Sequence, residues 1–429
     1  MSVLKIAAIA LAIFGATYFV GVLEHPPPQA LEDFSAFYCG ARLAATYENP
    51  YDDAALGRCE RSVAPWQRGG VMPAPYPPYA LLLLFPLSLL PFGVAGAIWI
   101  AGIVGAIAIS CVVIAQLARA PLVVAVAAFA ATMWFPSMIA ASMAAYPILF
   151  VLLAAYALRR ERWSWAAVFL GLGMVKPNLA LPACLAAFAI LPPMRMRLAA
   201  AGAALFVAQT LVAGPKLFLS YVEYMHAYAA RDIANAWQYS LVYGLHMLGV
   251  ADRTAVGLGW AQYAVAAVAG IAIGAAFARR YGDTAWVVLT PLAFAIIGGI
   301  YARQQELAAA IPFGVMLAYQ APSALARLAL VLLATPWSAV YGDAAYPPFV
   351  MLTTGTLVHQ LWKPPRIVTV LAAFTAVAVL LAFPNGSTPS NSLWFLRHLP
   401  GWLGLAALVV ACVAVLVEGK GAELPQPSA

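Results

Sequence analysis

The chain has 429 residues, of which 64% are hydrophobic and only 9% are charged, and its mean hydropathy is +0.88. A soluble domain carries about 45–50% apolar and about 25% charged residues. This chain lacks the polar side chains needed to cover a water-exposed surface, which excludes a water-soluble globular protein. Because its apolar runs are long and show no strict alternation, they predict helices embedded in a membrane.

The net charge of +7 does not indicate a nucleic-acid partner, because the basic residues cluster at the ends of apolar segments. Such clusters mark the cytoplasmic side of a membrane protein and set its orientation. They lie at residues 159–162, 195–197, 279–280 and 363–366. Seven of the sixteen acidic residues lie between residues 24 and 60, which predicts a long loop on the opposite, extracytoplasmic side.

In chain order, the sequence predicts an all-α, polytopic transmembrane helix bundle of about 12 spans. Residues 1–23 are expected to form a retained first transmembrane helix or signal anchor and not a cleaved signal peptide, since the segment lacks a clean small-x-small cleavage site. Residues 24–79 form the large first extracytoplasmic loop, residues 80–417 the helical bundle and residues 418–429 a short disordered tail. Several apolar segments are shorter than about 20 residues, which indicates half-helices that line a buried cavity within a single membrane domain.

Two of the five cysteines, Cys39 and Cys59, lie in the predicted extracytoplasmic loop. That compartment permits disulfides, so the sequence leaves two readings open, a bridge between them or two free thiols. No cluster of Cys and His has metal-ligand spacing, and we therefore predict neither a metal site nor a cofactor.

Asp33 is the first candidate for chemistry. Glu32 and Asp33 open an amphipathic stretch that reaches Leu43, just beyond a proline cluster. Acidic residues in the first turn of a helix also have a structural explanation, because they complement the helix dipole. The predicted position of Asp33 at the outer membrane face, beside aromatic residues, suits a general base.

Three further polar features lie at predicted membrane boundaries. Tyr76 belongs to a segment rich in proline and tyrosine, which is either an interfacial anchor or a wall of a lipid or sugar site. Lys176 lies between two apolar segments, where a charged group either marks a functional site or extends to the interface. Arg303, Gln304 and Glu306 belong to the densest polar run of the second half, which is either a turn or a cover of the same cavity.

Several short motifs follow one another in a recognisable order. They are Asp33-Phe34-Ser35-Ala36-Phe37-Tyr38, Asn49-Pro50-Tyr51-Asp52, Tyr76-Pro77-Pro78, Trp134-Phe135-Pro136, Lys176-Pro177-Asn178 and, last, Tyr301 with Glu306-Leu307. This order resembles glycosyltransferase family 87, which belongs to the GT-C superfamily, over about residues 30–320. Two elements depart from the family pattern. Ala145-Tyr146-Pro147 replaces Gly-Gln-Asn, and Gln304-Gln305-Glu306 replaces Asp-Tyr-Asp.

The resemblance implies a hexosyltransferase that uses a polyprenyl-phosphate sugar donor, mannose being the hexose in characterised members. It implies a hydroxyl acceptor on a glycolipid or glycan, and Asp33 as the catalytic base. The expected partners are the donor, the acceptor and membrane lipid, without nucleic acid. The expected location is the bacterial inner membrane, with the site on the periplasmic side.

The chemistry of this reaction assigns roles to the other candidates. The phosphate leaves as an anion without needing a proton, so one base suffices, and cations must hold the leaving group. Lys176 and Arg303 are the predicted donor-phosphate ligands. Arg42 is a poorer one, because nine residues place it on nearly the opposite helix face from Asp33. The substrate-binding candidates are Tyr38, Tyr76, His226, Gln304 and Glu306. Displacement with a single base predicts inversion at the anomeric carbon.

Two other functions stay open at this stage. A transporter or flippase for a lipid or polyprenyl-linked substrate would share the broken helices and the charges at membrane depth. The chain shows no second copy of its segment 33–38, whereas transporters usually contain two related halves. An inactive accessory member of the same fold would explain the two altered elements.

Overall fold

The computed structural model describes residues 31–66, 70–129, 140–235, 238–300, 302–334, 346–382 and 394–417. Within these ranges the regular elements are helices, and no β-strand occurs. The all-helical part of the predicted fold is therefore confirmed. Some predictions concern residues outside these ranges. They are the first transmembrane helix at residues 1–23, the tail at residues 418–429, Tyr301 and the Trp134–Pro136 motif.

The helices have the following bounds. They are α1 (Glu32–Ala45), α2 (Asp53–Val63), α3 (Pro78–Ser88), α4 (Phe92–Ala118), α5 (Ala145–Arg159), α6 (Trp163–Gly173), α7 (Pro177–Ile190), α8 (Arg195–Arg231), α9 (Leu241–Met247), α10 (Asp252–Tyr281), α11 (Ala285–Ile297), α12 (Ile311–Gln320), α13 (Ala324–Ala334), α14 (Tyr346–Trp362), α15 (Arg366–Ala382) and α16 (Trp394–Val417). Residues 122–129 are also helical, and Gln304–Ala310 form a 3₁₀-helix.

Three helices in the described part of the chain are long and apolar enough to cross a membrane. They are α4, α10 and the 398–417 portion of α16. The pair formed by α7 and the start of α8 is bent by 117°, as in a broken span or a re-entrant loop. Several shorter apolar helices accompany them, including α3, α5 and α11. The predicted number of about 12 spans is not confirmed by these helices.

Helix α8 consists of two segments that meet at Gly214. This residue has φ 74° and ψ 161°, a conformation that glycine adopts without steric cost. Pro215 follows it and cannot continue the hydrogen-bond pattern of the first segment. The break sends the second segment towards the first loop, where the rings of Tyr221 and Tyr224 lie 5.7 Å and 5.3 Å from that of Tyr51.

The first helix, α1, is buried along almost its whole length, and so lacks the exposed face that the amphipathic prediction requires. The reason is that it packs against α2, α3 and the helical bundle together. The rings of Phe34 and Phe37 lie 5.8 Å and 6.0 Å from the ring of Trp99 in α4. The indole N–H of Trp99 donates to the carbonyl of Ala141 at 2.8 Å. These contacts hold the N-terminus of α1 against the bundle.

Helices α10 and α11 approach each other closely, because α10 presents small residues at every fourth position. These residues are Ala266, Gly270 and Gly274. A Cβ atom added to Gly270 would lie 2.7 Å from Cβ of Phe294 and 3.0 Å from Cα of Pro291. In a membrane, where helix association depends on van der Waals packing, small residues allow this close approach. Because α11 precedes residues 302–306, its position sets that of the polar run.

Candidate active site

A cavity of about 370 Å³ is lined by residues of both the first loop and the helical bundle. Its polar lining residues are Asp33, Tyr76, Ser142, Lys176, Asn178, Tyr221, Tyr228, Tyr263, Arg303, Gln305 and Glu306. Apolar side chains of the first loop and of α7, α8 and α10 line the rest of it. Residues far apart in the sequence thus meet around one cavity.

Asp33 lies in the first turn of α1, with only 8% of its surface exposed. Its N–H donates to the carbonyl of Ala140 at 2.9 Å, and its carboxylate hydrogen-bonds the side chain of Ser142. Burial raises the pKa of the Asp33 carboxyl, while the charges of Arg303 and Lys176 oppose this rise. A carboxylate with a raised pKa is a stronger base, as proton abstraction requires.

Arg303 lies between two carboxylates. Its Nη1 is 3.9 Å from Oδ1 of Asp33, and its Nη2 is 3.5 Å from Oδ1 of Asp232. Nη2 also donates to the hydroxyl of Tyr228 at 3.1 Å. The backbone N–H of Arg303 donates to Oε2 of Glu306 at 3.2 Å, at the start of the 3₁₀-helix. The guanidinium is therefore fixed beside Asp33 without forming a close pair with it.

Lys176 precedes α7 and forms an ion pair with Glu306, whose Oε1 accepts from the ammonium. The side chains are only 7% and 1% exposed. The ammonium also lies 6.0 Å from the centre of the Tyr76 ring. The lysine therefore faces the cavity and does not extend to an exposed interface. Tyr76 lines the same cavity as one of its walls.

The structure does not bring Tyr38 and Arg42 to the cavity. On α1, Phe37 follows Asp33 by one turn and lines the cavity, whereas Tyr38 and Arg42 are rotated by about 140° and about 180° from Asp33. The Tyr38 hydroxyl instead donates to the carbonyl of Leu90 at 2.8 Å. Arg42 is exposed, and its guanidinium lies 5.9 Å from the Tyr38 ring centre. The positions of these two residues on α1 thus explain why neither lines the cavity.

Two further substrate-binding candidates, His226 and Gln304, lie in described helices, but their side chains are outside the described part of the chain. Sequence reasoning missed three groups of the polar network, namely Ser142, Tyr228 and Asp232. Only 9% of the residues in this chain are charged, and that rarity is the signal that could have marked Asp232 as a candidate. Ser142 lies in an apolar stretch that gives no signal.

The first loop is cross-linked close to the cavity. Cys39 and Cys59 form a disulfide between α1 and α2, which is one of the two readings that the sequence leaves open. The neighbouring Glu60 is buried, and burial raises the pKa of its carboxyl to about 7. Its Oε2 accepts from the N–H of Met72 at 3.1 Å, and Met72 lines the cavity. This hydrogen bond and the disulfide fix the loop wall relative to Asp33.

The arrangement combines a buried carboxylate, Asp33, with two cationic side chains, Lys176 and Arg303. Among the described residues, no group of three or more His, Cys, Asp and Glu side chains could hold a metal ion. In a cavity with a low dielectric constant, charges act more strongly on a reacting group than they do in water. The chemistry supported by these groups is attack by a hydroxyl with departure of an anionic group.

Comparison with known protein families identifies the family of this chain. The family model of glycosyltransferase family 87 matches residues 75–298, just over half of the chain. No curated protein and no solved structure matches. The matched range includes Tyr76, Lys176 and Asp232, whereas Asp33 and Arg303 lie outside it. The chain therefore belongs to glycosyltransferase family 87, and it is a glycosyltransferase whose apolar helices are those of a membrane protein.

Proposed function

We propose that the protein transfers a hexose, specifically mannose, from a polyprenyl-phosphate donor to a hydroxyl group of a glycolipid or glycan. The observation that carries this proposal is the meeting of Asp33, Lys176 and Arg303 around one cavity. A sugar phosphate needs one base and cationic ligands for its leaving group, and these three side chains supply both. The proposed site faces the extracytoplasmic side of the bacterial inner membrane.

The reaction assigns each group a role. Asp33 accepts the proton of the acceptor hydroxyl as its oxygen forms a bond with the anomeric carbon. The bond between that carbon and the phosphate oxygen breaks, and polyprenyl phosphate leaves with the electron pair. Lys176 and Arg303 stabilise the charge that develops on the phosphate. Because one displacement occurs, the configuration at the anomeric carbon is inverted.

The compartment supports a lipid-linked donor. Nucleotide sugars are cytoplasmic, whereas a disulfide between Cys39 and Cys59 is typical of an oxidising environment outside the cytoplasm. A transferase on that side reaches a donor that is anchored in the bilayer. The apolar residues in the cavity lining are compatible with a lipid phosphate entering beside them.

The test is Asp33→Asn in the purified, full-length protein with polyprenyl-phosphate mannose and a glycolipid acceptor. We expect a loss of at least about 100-fold in turnover, because a positioned base contributes roughly that much. Glu32→Gln is the matched control, since it removes the adjacent carboxylate, and we expect it to retain activity. Retained turnover in folded Asp33→Asn contradicts the proposal, as does a product with retained anomeric configuration.

One observation favours a second candidate, an inactive accessory protein. Both cations already have carboxylate partners, Glu306 for Lys176 and Asp232 for Arg303. A donor phosphate would have to share these cations with the carboxylates. A deletion strain that lacks a sugar on its glycolipids, restored by the wild-type gene but not by Asp33→Asn, excludes this candidate.

A further inference from the structure

Asp232 lies immediately after α8 and is held by two amide side chains. The Nδ2 of Asn235 donates to its Oδ1 at 2.9 Å, and the Nε2 of Gln238 donates to its Oδ2 at 2.9 Å. Gln238 is fixed in turn, since its Oε1 accepts from the hydroxyl of Ser240 at 2.8 Å. The carboxylate of Asp232 is therefore oriented by its neighbours.

The segment that carries these amides is joined to the backbone of Arg303. Gln238 and Arg303 form an isolated antiparallel bridge, and the N–H of Tyr239 donates to the carbonyl of Ala302 at 2.6 Å. The backbone of Arg303 and the anchor of Asp232 therefore belong to one hydrogen-bonded unit. This unit brings the guanidinium and the Asp232 carboxylate within 3.5 Å of each other.

The guanidinium lies closer to Asp232 than to Asp33, with N–O distances of 3.5 Å and 3.9 Å. A free arginine beside a buried carboxylate forms a close pair at about 2.7–2.9 Å, often with two hydrogen bonds. Arg303 stays about 1 Å beyond that distance from Asp33. Asp232 and Tyr228 both contact Nη2 of the same guanidinium.

We propose that Asp232 is a positioning residue that holds the Arg303 guanidinium beside Asp33 and prevents it from closing onto that carboxylate. Apart from its hydrogen bond with Ser142, the Asp33 carboxylate then stays available to an acceptor hydroxyl, and Nη1 of Arg303 stays available to an anionic leaving group. This inference rests on the proposed role of Asp33 as the base. It gives Asp232 no contact with substrate.

Several groups act on Asp33 from the elements around it. The charged and titratable ones are Glu32 on its own helix, Tyr76 in the loop, Lys176 before α7, and Arg303 and Glu306 after α11. Ser142 adds a hydrogen bond. Lys176 is bound to Glu306, so Arg303 is the cation whose position Asp232 can change. Without Asp232, Arg303 can approach Asp33, and its charge then lowers the pKa of that carboxyl.

The experiment uses Asp232→Asn, which keeps the shape of the side chain and removes its charge. Infrared difference spectroscopy of the full-length protein in lipid nanodiscs measures the titration of Asp33, whose band is assigned by its loss in Asp33→Asn. We expect the midpoint to fall by about one pH unit, because a close opposite charge produces shifts of that size. The acid limb of the pH–rate profile for transfer also shifts to lower pH. On the plateau, kcat falls about threefold to tenfold, while KM for the acceptor changes little.

Asp53→Asn is the matched control. Asp53 forms an ion pair with Arg231, the residue before Asp232, at 2.8 Å, and both partners are exposed. The same substitution there leaves the Asp33 midpoint unchanged. Asn235→Ala is the second variant, since it loosens Asp232 without changing any charge. It produces a smaller shift in the same direction, and it decides the question if Asp232→Asn does not fold.

An unchanged or raised Asp33 midpoint in folded Asp232→Asn overturns the inference. A shift of equal size in Asp53→Asn also overturns it, because the effect would then follow from net charge alone. Failure of the proposed function has a different signature. Transfer that survives Asp33→Asn removes the base assignment, whereas the infrared titration still reports whether Asp232 controls the position of Arg303.

Discussion

Lys176 and Glu306 form a buried ion pair across 130 residues of sequence. Because both side chains are buried, each charge depends on the other for its neutralisation. Removing one partner leaves an uncompensated charge in a medium of low dielectric constant, which costs about 3–5 kcal/mol. Replacing both by apolar residues of similar volume costs far less. The pair therefore constrains which substitutions the cavity tolerates.

We expect Lys176→Met and Glu306→Leu each to lower the free energy of unfolding by about 3 kcal/mol, and the double variant to lose much less than their sum. Denaturant titration of the purified protein in detergent measures all four members of this cycle. Additive losses would show that the two side chains act independently and would contradict the pairing.

Glu60 gives the first loop a pH-dependent stability. The pKa of its carboxyl is raised from 4.5 to about 7 by burial, which outweighs the lowering by the hydrogen bond from the Met72 N–H and the smaller effects of nearby charges. Between these two values the folded chain binds more protons than the unfolded chain, so stability falls as the pH rises through this window. Above about pH 7 the buried carboxylate is charged, and its Oε1 has no hydrogen-bond partner among the described residues.

Glu60→Gln removes this charge. We expect the variant to be more stable than the wild type at pH 8 by roughly 1 kcal/mol and to lose the decline between pH 4.5 and about 7. Thermal unfolding at a series of pH values measures the difference. Glu48→Gln, at an exposed acid of the same loop, is the control, and an identical profile for both variants would contradict the prediction.

Single residues also show how far the sequence predicts the site. Asp33, Lys176 and Arg303 are predictable because charges are rare in this chain and stand out at the ends of apolar segments. The roles of Asp232 and Ser142 are not predictable, since they depend on contacts with Arg303 and Asp33 that span long sequence separations. The position of each residue around α1 decides that Phe37, and not Tyr38, lines the cavity. Residue type alone would favour the tyrosine.

At the scale of helices, the close packing of α10 and α11 depends on residues without side chains. We expect Gly270→Ala to destabilise the protein by about 1–3 kcal/mol, because the added Cβ meets Cα of Pro291 and Cβ of Phe294, which cannot both move away. Gly257→Ala on the same helix is the control. Its Cβ meets no atom within 4 Å, so it is neutral or stabilising by up to about 1 kcal/mol.

Thermal unfolding in detergent separates these two variants. Since α11 leads to residues 302–306, Gly270→Ala also lowers transfer activity, and Gly257→Ala does not. Equal stability of the two variants would show that α10 and α11 lie further apart than described.

The disulfide joins the helix that carries Asp33 to the next helix, across a sequence separation of 20 residues. Closing a loop of this length stabilises a folded protein by about 3 kcal/mol. We expect the double variant Cys39→Ala, Cys59→Ala to lose about that much stability, whereas Cys412→Ala, at a free cysteine, leaves the loop unchanged.

Alkylation of the unfolded, unreduced protein followed by mass spectrometry should label three cysteines, and labelling of all five would contradict the bridge.

At the scale of the whole molecule, composition predicts an all-helical membrane protein, and the structure agrees over the described residues. Composition does not predict the number of spans. Prolines lie inside α3, α7, α8, α11 and α16, and many apolar helices between them have fewer than 18 residues. Whether a short helix crosses, turns back or stops halfway depends on its neighbours, and hydropathy along the chain carries no information about them.

The ion pair between Lys176 and Glu306 also has a consequence for biosynthesis. The ribosome delivers the lysine 130 residues before its partner, which at usual elongation rates is an interval on the order of ten seconds. During that time Lys176 has no access to the carboxylate that neutralises it in the folded protein. The ion pair can therefore form only after Glu306 has been synthesised, which makes it one of the late contacts of this part of the chain.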